Sequence, residues 1–155
     1  ELRLLDYWRA LKFIRGLGPE PFALSLGQFK NMLSLKKTKI KPLLMDQKFI
    51  SGIGNLYAAE CLFRAGINPE KPAQSLSDKE NAALFKEIKD VLNEAIEHGG
   101  SSVDDYVRVS GRPGGYAAHH KVYGRQGKPC LICKTPIKRI SLGGRGTYFC
   151  PKCQA

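Results

Sequence analysis

The sequence predicts a mostly α-helical domain followed by a small C-terminal β-hairpin that is organised by four cysteines. Two observations support this: helix-start signals with apolar stripes at helical spacing precede about residue 100, and two Cys-x-x-Cys pairs lie near the C-terminus. We place the boundary near residue 121, with a helical domain over 1–120 and a metal-binding module over 121–155. The two parts account for the whole 155-residue chain.

The first predicted helix covers 24–37, where Ser25 and Gln28 have the spacing of a capping box. A short helical turn over 43–47 is expected to start at Pro42, because proline is tolerated in the first turn of a helix. The next helix, 56–65, should end at Gly66, since glycine is a favoured residue after a helix.

A longer amphipathic helix is predicted over 78–98, with Ser77 and Glu80 as a second capping box. Its buried face is expected to carry four residues: Phe85, Ile88, Leu92 and Ile96. One short helix should follow over 102–109, and the glycine-rich stretch 110–120 is expected to form a mobile loop.

The two Cys-x-x-Cys pairs are separated by sixteen residues and predict a single metal site. Its ligands would be Cys130, Cys133, Cys150 and Cys153. Four thiolates are typical of a closed, structural zinc site, and the alternatives are two disulfides or a chance spacing of the cysteines. Strands over 137–140 and 147–149, joined by a glycine turn at 143–144, would form the hairpin between the pairs. A fifth cysteine, Cys61, is expected in the core, and His119 and His120 are expected to be exposed.

Charge is segregated along the chain. Residues 1–105 hold 15 Lys+Arg and 14 Asp+Glu, whereas residues 106–155 hold 10 Lys+Arg and no acidic residue. This distribution indicates a polyanionic partner, and we expect nucleic acid. No stretch approaches the roughly 18 apolar residues of a membrane span, so no membrane partner is expected.

A phosphate site is predicted where Gly52-Ile53-Gly54-Asn55 precedes a helix, because backbone N–H groups at a helix N-terminus bind anions. The upstream Lys41 could reach the same backbone. Arg145, between glycines at the hairpin tip, fits equally well a solvated turn residue and a finger that enters a groove.

Several strings together resemble the formamidopyrimidine-DNA glycosylase/endonuclease VIII family, with the formamidopyrimidine branch favoured. They are LGPEP at 17–21, IKPLLMDQ at 40–47, GIGNLYA at 52–58, FRAGINP at 63–69, VYGR at 122–125 and FCPKCQ at 149–154. The resemblance covers about residues 17–154 and implies a helix–two-turns–helix domain followed by a zinc finger. It also implies one structural zinc ion, a monomer, damaged double-stranded DNA as the partner and a bacterial-type cytoplasmic location.

The resemblance implies roles for particular residues. Lys41 and Asn55 would contact the phosphates that flank the damaged nucleotide, and Arg145 would reach the minor groove and help hold a kinked duplex. Further DNA-binding residues would be Gly54, Tyr57 and Arg125. The loop that closes over an everted oxidised purine such as 8-oxoguanine would carry Arg112, Gly114 and Tyr116.

The chain also departs from the family pattern. Gly115 takes the first position of the loop's usual aromatic pair, Ala117 and Ala118 follow where amides are common, and Gly146 replaces a serine beside the finger arginine. The preferred oxidised base is therefore left open.

The family's nucleophile is the amine of an N-terminal proline, assisted by the adjacent glutamate. This chain begins Glu1-Leu2-Arg3, so no catalytic residue is assigned to it. We expect the 155-residue chain to bind DNA without cutting it, while the parent enzyme excises oxidised purines and cleaves the abasic site by β,δ-elimination.

Two other functions remain open at this stage. One is a non-catalytic zinc-containing nucleic-acid-binding protein of the ribosomal or transcription type, and the other is a zinc-dependent protein adaptor. A preference for abasic over intact duplex would indicate a glycosylase, and weak salt dependence would indicate the adaptor.

Overall fold

The computed structural model describes residues 2–101 and 114–155 of the chain. In these ranges the helices are α1 (Leu2–Arg15), α2 (Leu26–Ser34), α3 (Ile40–Met45), α4 (Asn55–Ala65) and α5 (Asp78–Glu97), followed by the strands β1 (Lys138–Leu142) and β2 (Arg145–Phe149). Short 3₁₀ turns occur at Pro21–Ala23, Ala73–Ser75 and Tyr116–His119. The predicted class, mostly α with a small β-hairpin, is confirmed. The helix predicted over 102–109 lies outside the described residues.

Both predicted capping boxes are present. At the start of α2 the Gln28 N–H donates to Ser25 Oγ at 3.2 Å, and the Ser25 N–H donates to Gln28 Oε1 at 2.9 Å. Helix α2 is shorter than the predicted 24–37, because the N–H of Leu24 closes the preceding 3₁₀ turn onto Pro21 and the helix ends with Leu35 as its C-cap. Helix α5 begins after Ser77 as expected.

Helix α3 begins earlier than predicted, at Ile40 rather than at Pro42. The first N–H groups of a helix need partners outside it, and here the chain supplies them. The N–H of Ile40 donates to the carbonyl of Lys71 at 2.8 Å, and that of Lys41 donates to Pro69 at 3.2 Å. A distant loop therefore stabilises a turn whose start the local sequence did not show.

The buried face of α5 overlaps the predicted one, since Ile88 is in the main core and Phe85 and Leu92 pack against it, but the face is shifted away from Ile96. Its buried apolar residues are Leu84, Ile88, Val91 and Ala95. The prediction that Ile96 is buried is wrong, since its side chain is 69% exposed. The predicted and the observed residues both have helical spacing. Packing of α5 against α2 and α4 determines that the observed residues are the buried ones.

Helix α4 separates two apolar cores. On one side lies the main core, built largely from α2 to α5. On the other side Ala59 and Phe63 pack with Val122, Ile137 and two of the zinc-site cysteines. Cys61 is fully buried in the main core, as predicted. Both parts of the chain are therefore built on the same helix.

Two polar side chains fasten the C-terminal module to the helices. The fully buried carboxylate of Glu60 accepts the backbone N–H groups of Lys121, Val122 and Tyr123 at 2.8 to 3.0 Å. Gln154 donates to the carbonyl of Ile67 at 2.9 Å. The boundary near residue 121 stays a prediction. At that position the Glu60 carboxylate fixes the backbone through three hydrogen bonds.

No helix in the described ranges is both long and apolar enough to cross a membrane.

Candidate nucleic-acid interface and zinc centre

The four predicted metal ligands form one cluster. The Sγ atoms of Cys130, Cys133, Cys150 and Cys153 all lie within 4.8 Å of one another. Two of these separations are 3.9 Å (Cys130 to Cys153) and 3.4 Å (Cys133 to Cys150). Tetrahedral zinc with Zn–S bonds of about 2.3 Å requires sulfurs about 3.8 Å apart, so the cluster matches zinc.

Hydrogen bonds and burial both affect the protonation of the thiols. Backbone N–H groups of Ile132 and Cys153 point at the sulfurs of Cys130 and Cys150, each at 3.4 Å, and such bonds stabilise thiolates. Burial raises the pKa of Cys150 and of Cys153, while a hydrogen bond with Thr135 lowers the pKa of Cys133. A metal ion must therefore displace protons from the buried thiols, so zinc affinity should rise with pH.

Lys41 and Asn55, which the sequence predicted to act together, are in direct contact. The Lys41 side chain is only 1% exposed, and its Nζ donates to Asn55 Oδ1 at 2.6 Å and to Thr147 Oγ1 at 2.7 Å. Asn55 Nδ2 in turn donates to the carbonyl of Gly146 at 3.2 Å. These bonds join α3, α4 and β2 at one point.

The turn before α4 is shaped by glycines and by Gln47. Gly52 has φ of 91°, a conformation that favours glycine, and its N–H donates to Gln47 Oε1 at 2.9 Å. Gln47 Nε2 donates to the carbonyl of Ile53 at 2.9 Å. Gly54 is the N-cap of α4 and provides no side-chain cap, so N–H groups at this helix start have no side-chain acceptor.

Arg145 is exposed at the hairpin tip, as predicted. The strands are longer than predicted, because the turn contains only Gly143 and Gly144, with φ of 59° and 74°. Positive φ at both positions is typical of a tight I′ turn. A Cβ at Gly143 would lie 3.4 Å from the Pro42 ring, so the tip packs against α3.

The other two predicted DNA-binding side chains lie elsewhere. The Arg125 guanidinium donates to the carbonyls of Lys121 and Pro129 at 2.8 and 3.1 Å, which closes the loop before the first cysteine pair. Tyr57 is half-buried against Tyr116, with ring centroids 5.6 Å apart, and burial raises its pKa. DNA binding by Arg125 and Tyr57 stays a prediction.

The predicted lesion loop is described only from residue 114 onward, and Arg112 lies outside the described residues. Gly114 approaches the backbone so closely that a Cβ there would lie 2.0 Å from the carbonyl oxygen of Gly100. Tyr116 is 1% exposed and belongs to the main core. The expectation that 110–120 is mobile throughout is therefore wrong for Tyr116, whose ring packs on α4.

The histidines that follow are only partly as expected. His119 is exposed and stacks on His98, with centroids 4.1 Å apart. His120 is half-buried and its Nε2 lies 2.9 Å from Ser101 Oγ, so the expectation of exposure is wrong for it. Neither belongs to the four-cysteine cluster.

An apolar cavity of about 780 Å³ opens beside Tyr57. Its walls come from α1, the Pro21–Ala23 turn, the Gly52 turn and the end of α5, and they include the exposed side chains of Phe13, Phe22 and Ile96. Ile96, misassigned to the core, therefore faces this opening.

Sequence reasoning did not identify two residues that organise the site. Thr147 and Glu60 are both fully buried and both bridge the helical part and the zinc module. A buried acidic residue within the apolar helix α4 was the available signal for Glu60, because such a group needs partners. Thr147 resembles an ordinary strand residue, so nothing in the sequence separated it from its neighbours.

The fold and site define a helix–two-turns–helix protein with an attached four-cysteine zinc finger. Residues 17–107 match the formamidopyrimidine-DNA glycosylase H2TH domain, and residues 127–155 match the zinc finger found in FPG and IleRS. The chain belongs to the formamidopyrimidine-DNA glycosylase family. The prediction of one structural zinc at the four cysteines is confirmed.

Curated relatives agree with this assignment. The formamidopyrimidine-DNA glycosylase of Solibacter usitatus is 48% identical over 143 residues, which is 92% of this chain and 54% of the relative. That of Thermus thermophilus is 44% identical over 153 residues, 96% of this chain and 57% of the relative. The chain thus spans about half the length of the curated relatives it matches.

Solved structures show the same similarity. The crystal structure of MutM (Fpg) from Thermus thermophilus superposes with a TM-score of 0.89 at 43% identity, covering 95% of this chain and 57% of that one. Lactococcus lactis Fpg in complex with abasic-site DNA gives a TM-score of 0.85 at 35% identity, covering 96% and 55%.

Proposed function

We propose that this chain is the DNA-binding half of a base-excision DNA glycosylase/AP lyase. The whole protein would remove oxidised purines, namely 8-oxoguanine and formamidopyrimidines, and cleave the resulting abasic site by β,δ-elimination. The half described here would clamp and kink the damaged duplex. The carrying observation is the polar joint at which Lys41, Asn55 and the tip of the zinc-finger hairpin meet.

The joint supports a phosphate clamp because donors remain after its internal bonds are made. The Lys41 ammonium has three hydrogens and gives two of them to Asn55 and Thr147. The Asn55 amide has two hydrogens and gives one to Gly146. A phosphate could accept the second Asn55 hydrogen and the N–H groups at the uncapped start of α4, and the buried Lys41 ammonium beside Asn55 would add its positive charge.

Arg145 would provide the second half of the clamp. Its exposed side chain follows the two-glycine turn that packs on Pro42, so its position would be tied to that of the proposed phosphate site. A duplex held at both points could be kept bent, which offsets part of the few kcal/mol that base eversion costs.

Named complexes of relatives support the damaged-DNA partner. Lactococcus lactis Fpg has been solved with an abasic-site DNA and with a Fapy-dG containing DNA, and both structures resemble this chain at TM-scores of 0.85 and 0.83. We propose the same class of ligand here, with the chain acting as a monomer in a reducing, bacterial-type cytoplasm. Cysteines that serve together as zinc ligands, rather than as disulfides, are typical of that compartment.

The binding test compares duplexes with and without a single abasic-site analogue by fluorescence anisotropy. We expect tighter binding to the abasic duplex and a log–log salt slope of about −4 to −5, as about five phosphate contacts would give. Asn55→Ala should weaken binding at least about tenfold, because it removes a phosphate donor and an acceptor of Lys41. Asn31→Ala, on the exposed surface of α2, is the matched control.

Other outcomes would support other functions. Equal affinity for intact and abasic duplex would favour a non-catalytic nucleic-acid-binding protein, and a flat salt dependence would favour a protein adaptor.

The chemistry is tested separately by borohydride trapping on abasic duplex, with a full-length relative run beside this chain. Trapping of the relative alone would assign the Schiff-base step to the part that this chain does not span. Trapping of this chain would overturn that assignment.

A further inference from the structure

The joint between α3, α4 and β2 contains a charged group that is almost completely removed from water. Lys41 is 1% exposed, and both of its side-chain partners, Asn55 and Thr147, are neutral. A buried ammonium is costly unless its hydrogens are accepted, so each acceptor matters to its charge state.

Thr147 presents its oxygen to this ammonium in a defined way. The side chain is fully buried, its Oγ1 accepts from Lys41 Nζ at 2.7 Å, and its own hydrogen is directed at the carbonyl of Arg145 at 3.4 Å. Because the hydroxyl hydrogen is used on the backbone, a lone pair faces Lys41. Valine has nearly the same shape but no acceptor.

The surroundings of Lys41 disfavour the charged form of its side chain. Burial is the larger cause and the positive charge of Arg145 on β2 the smaller one, and together they lower the pKa of Lys41 to about 8. Asn55 is the neutral residue that faces it from α4. On the adjoining loop, Glu70 pairs with Lys39 at 2.8 Å.

We propose that Thr147 is a positioning residue: its hydroxyl keeps Lys41 charged and directed at Asn55, and so makes the zinc-finger strand part of the phosphate site on α4. This inference rests on the proposed DNA-binding function. It assigns to Thr147 a role that acts through Lys41 rather than through contact with DNA.

The proposal predicts a pH dependence with a definite sign. A phosphate that binds near Lys41 favours the charged form, so the pKa of Lys41 is higher in the complex than in the free chain. Affinity for DNA should therefore be constant below about pH 8 and fall above it. Removing the Thr147 acceptor lowers the pKa of Lys41 further and moves the onset of this fall to lower pH.

The test measures anisotropy binding curves between about pH 6.5 and about pH 9.5 for Thr147→Val, Thr147→Ser and the control Thr38→Val. Thr38 is exposed and lies outside the site. We expect Thr147→Val to move the onset down by about one pH unit and to weaken binding about tenfold near pH 8. Thr147→Ser should restore the original profile, and Thr38→Val should leave it unchanged. A profile for Thr147→Val that superposes on the wild-type profile would overturn the proposal.

A second measurement needs no DNA and separates this inference from the proposed function. In ¹⁵N-correlated NMR spectra of the zinc-loaded chain, the Asn55 side-chain amide and the Gly146 backbone amide should shift together with a midpoint near pH 8. The midpoint should fall in Thr147→Val and return in Thr147→Ser. An unchanged midpoint in a folded Thr147→Val refutes the role of Thr147 even if the wild-type chain binds no DNA. If Thr147→Val does not fold, a midpoint in Thr147→Ser that differs from the wild-type value refutes it instead.

Discussion

The helical part and the zinc finger are stabilised by different means. Among the residues that the structure describes, twenty buried hydrophobic residues form the main core, whereas the second core contains six, of which Ala59 and Phe63 come from α4 and Cys130 and Cys150 are metal ligands. The finger itself thus contributes to this second core only Val122 and Ile137 besides the cysteines. Apolar burial can maintain the helices, but the finger needs its metal and the wall that α4 provides.

The comparison also explains why the contacts between the two parts are polar. A module with so small a core cannot be held in place by apolar area alone. Glu60 binds the chain where it enters the finger, and Lys41 binds the second strand of its hairpin. The orientation of Arg145 relative to Lys41 and Asn55 therefore depends on a few directional bonds.

The largest predicted effect is that of zinc removal. Stripping the metal with a chelator near neutral pH should unfold the hairpin, because zinc binding supplies on the order of 10 kcal/mol to such modules. Hydrogen exchange should then lose protection in β1 and β2 but keep it in α5. DNA binding should weaken about a hundredfold or more, since Arg145 and Thr147 lose their positions. Persistent hairpin protection in a chain verified to be zinc-free would contradict the comparison.

The second prediction concerns the hydrogen bonds of Glu60 to residues 121–123. Glu60→Gln should lower the free energy of unfolding by about 3 kcal/mol, because an amide cannot accept all three N–H groups and places its own hydrogens against donors. Glu70→Gln, which alters an exposed ion pair, should cost less than about 0.5 kcal/mol. Denaturant unfolding of the zinc-loaded chain measures both, and similar losses in the two variants would refute the role of Glu60.

The third prediction separates two isoleucines of α5. Ile88→Ala should destabilise the chain by about 3 kcal/mol, because it leaves a cavity in the main core. Ile96→Ala should cost less than about 0.5 kcal/mol, since the side chain is exposed at the open cavity. Thermal unfolding of the two variants measures both losses of stability. Equal losses would mean that Ile96 is buried after all.

Local signals identified most of the secondary structure. The two capping boxes, the glycine that ends α4 and the two-glycine hairpin turn each act over four residues or fewer, so neighbouring residues alone specify them. The start of α3 was missed because its first N–H groups bond to Lys71 and Pro69, some thirty residues away. On α5, Ile88 lies in the main core and Phe85 and Leu92 pack against it as predicted, but Ile96 was misassigned because two overlapping apolar stripes had helical spacing.

The candidate site divides in the same way. The sequence by itself determined the cysteine cluster and the place of Arg145 at the hairpin tip, and it assigned Lys41 and Asn55 to one predicted phosphate site, because each depends on a motif or on residue chemistry within a limited segment. The direct bond between Lys41 and Asn55 came from the structure. Only the tertiary structure decided that Tyr116 lies in the core, that Glu60 binds the backbone at the start of the zinc finger and that Thr147 accepts a hydrogen bond from Lys41. The physical reason is separation along the chain: Thr147 lies 106 residues from Lys41, and no local pattern records a bond across that distance.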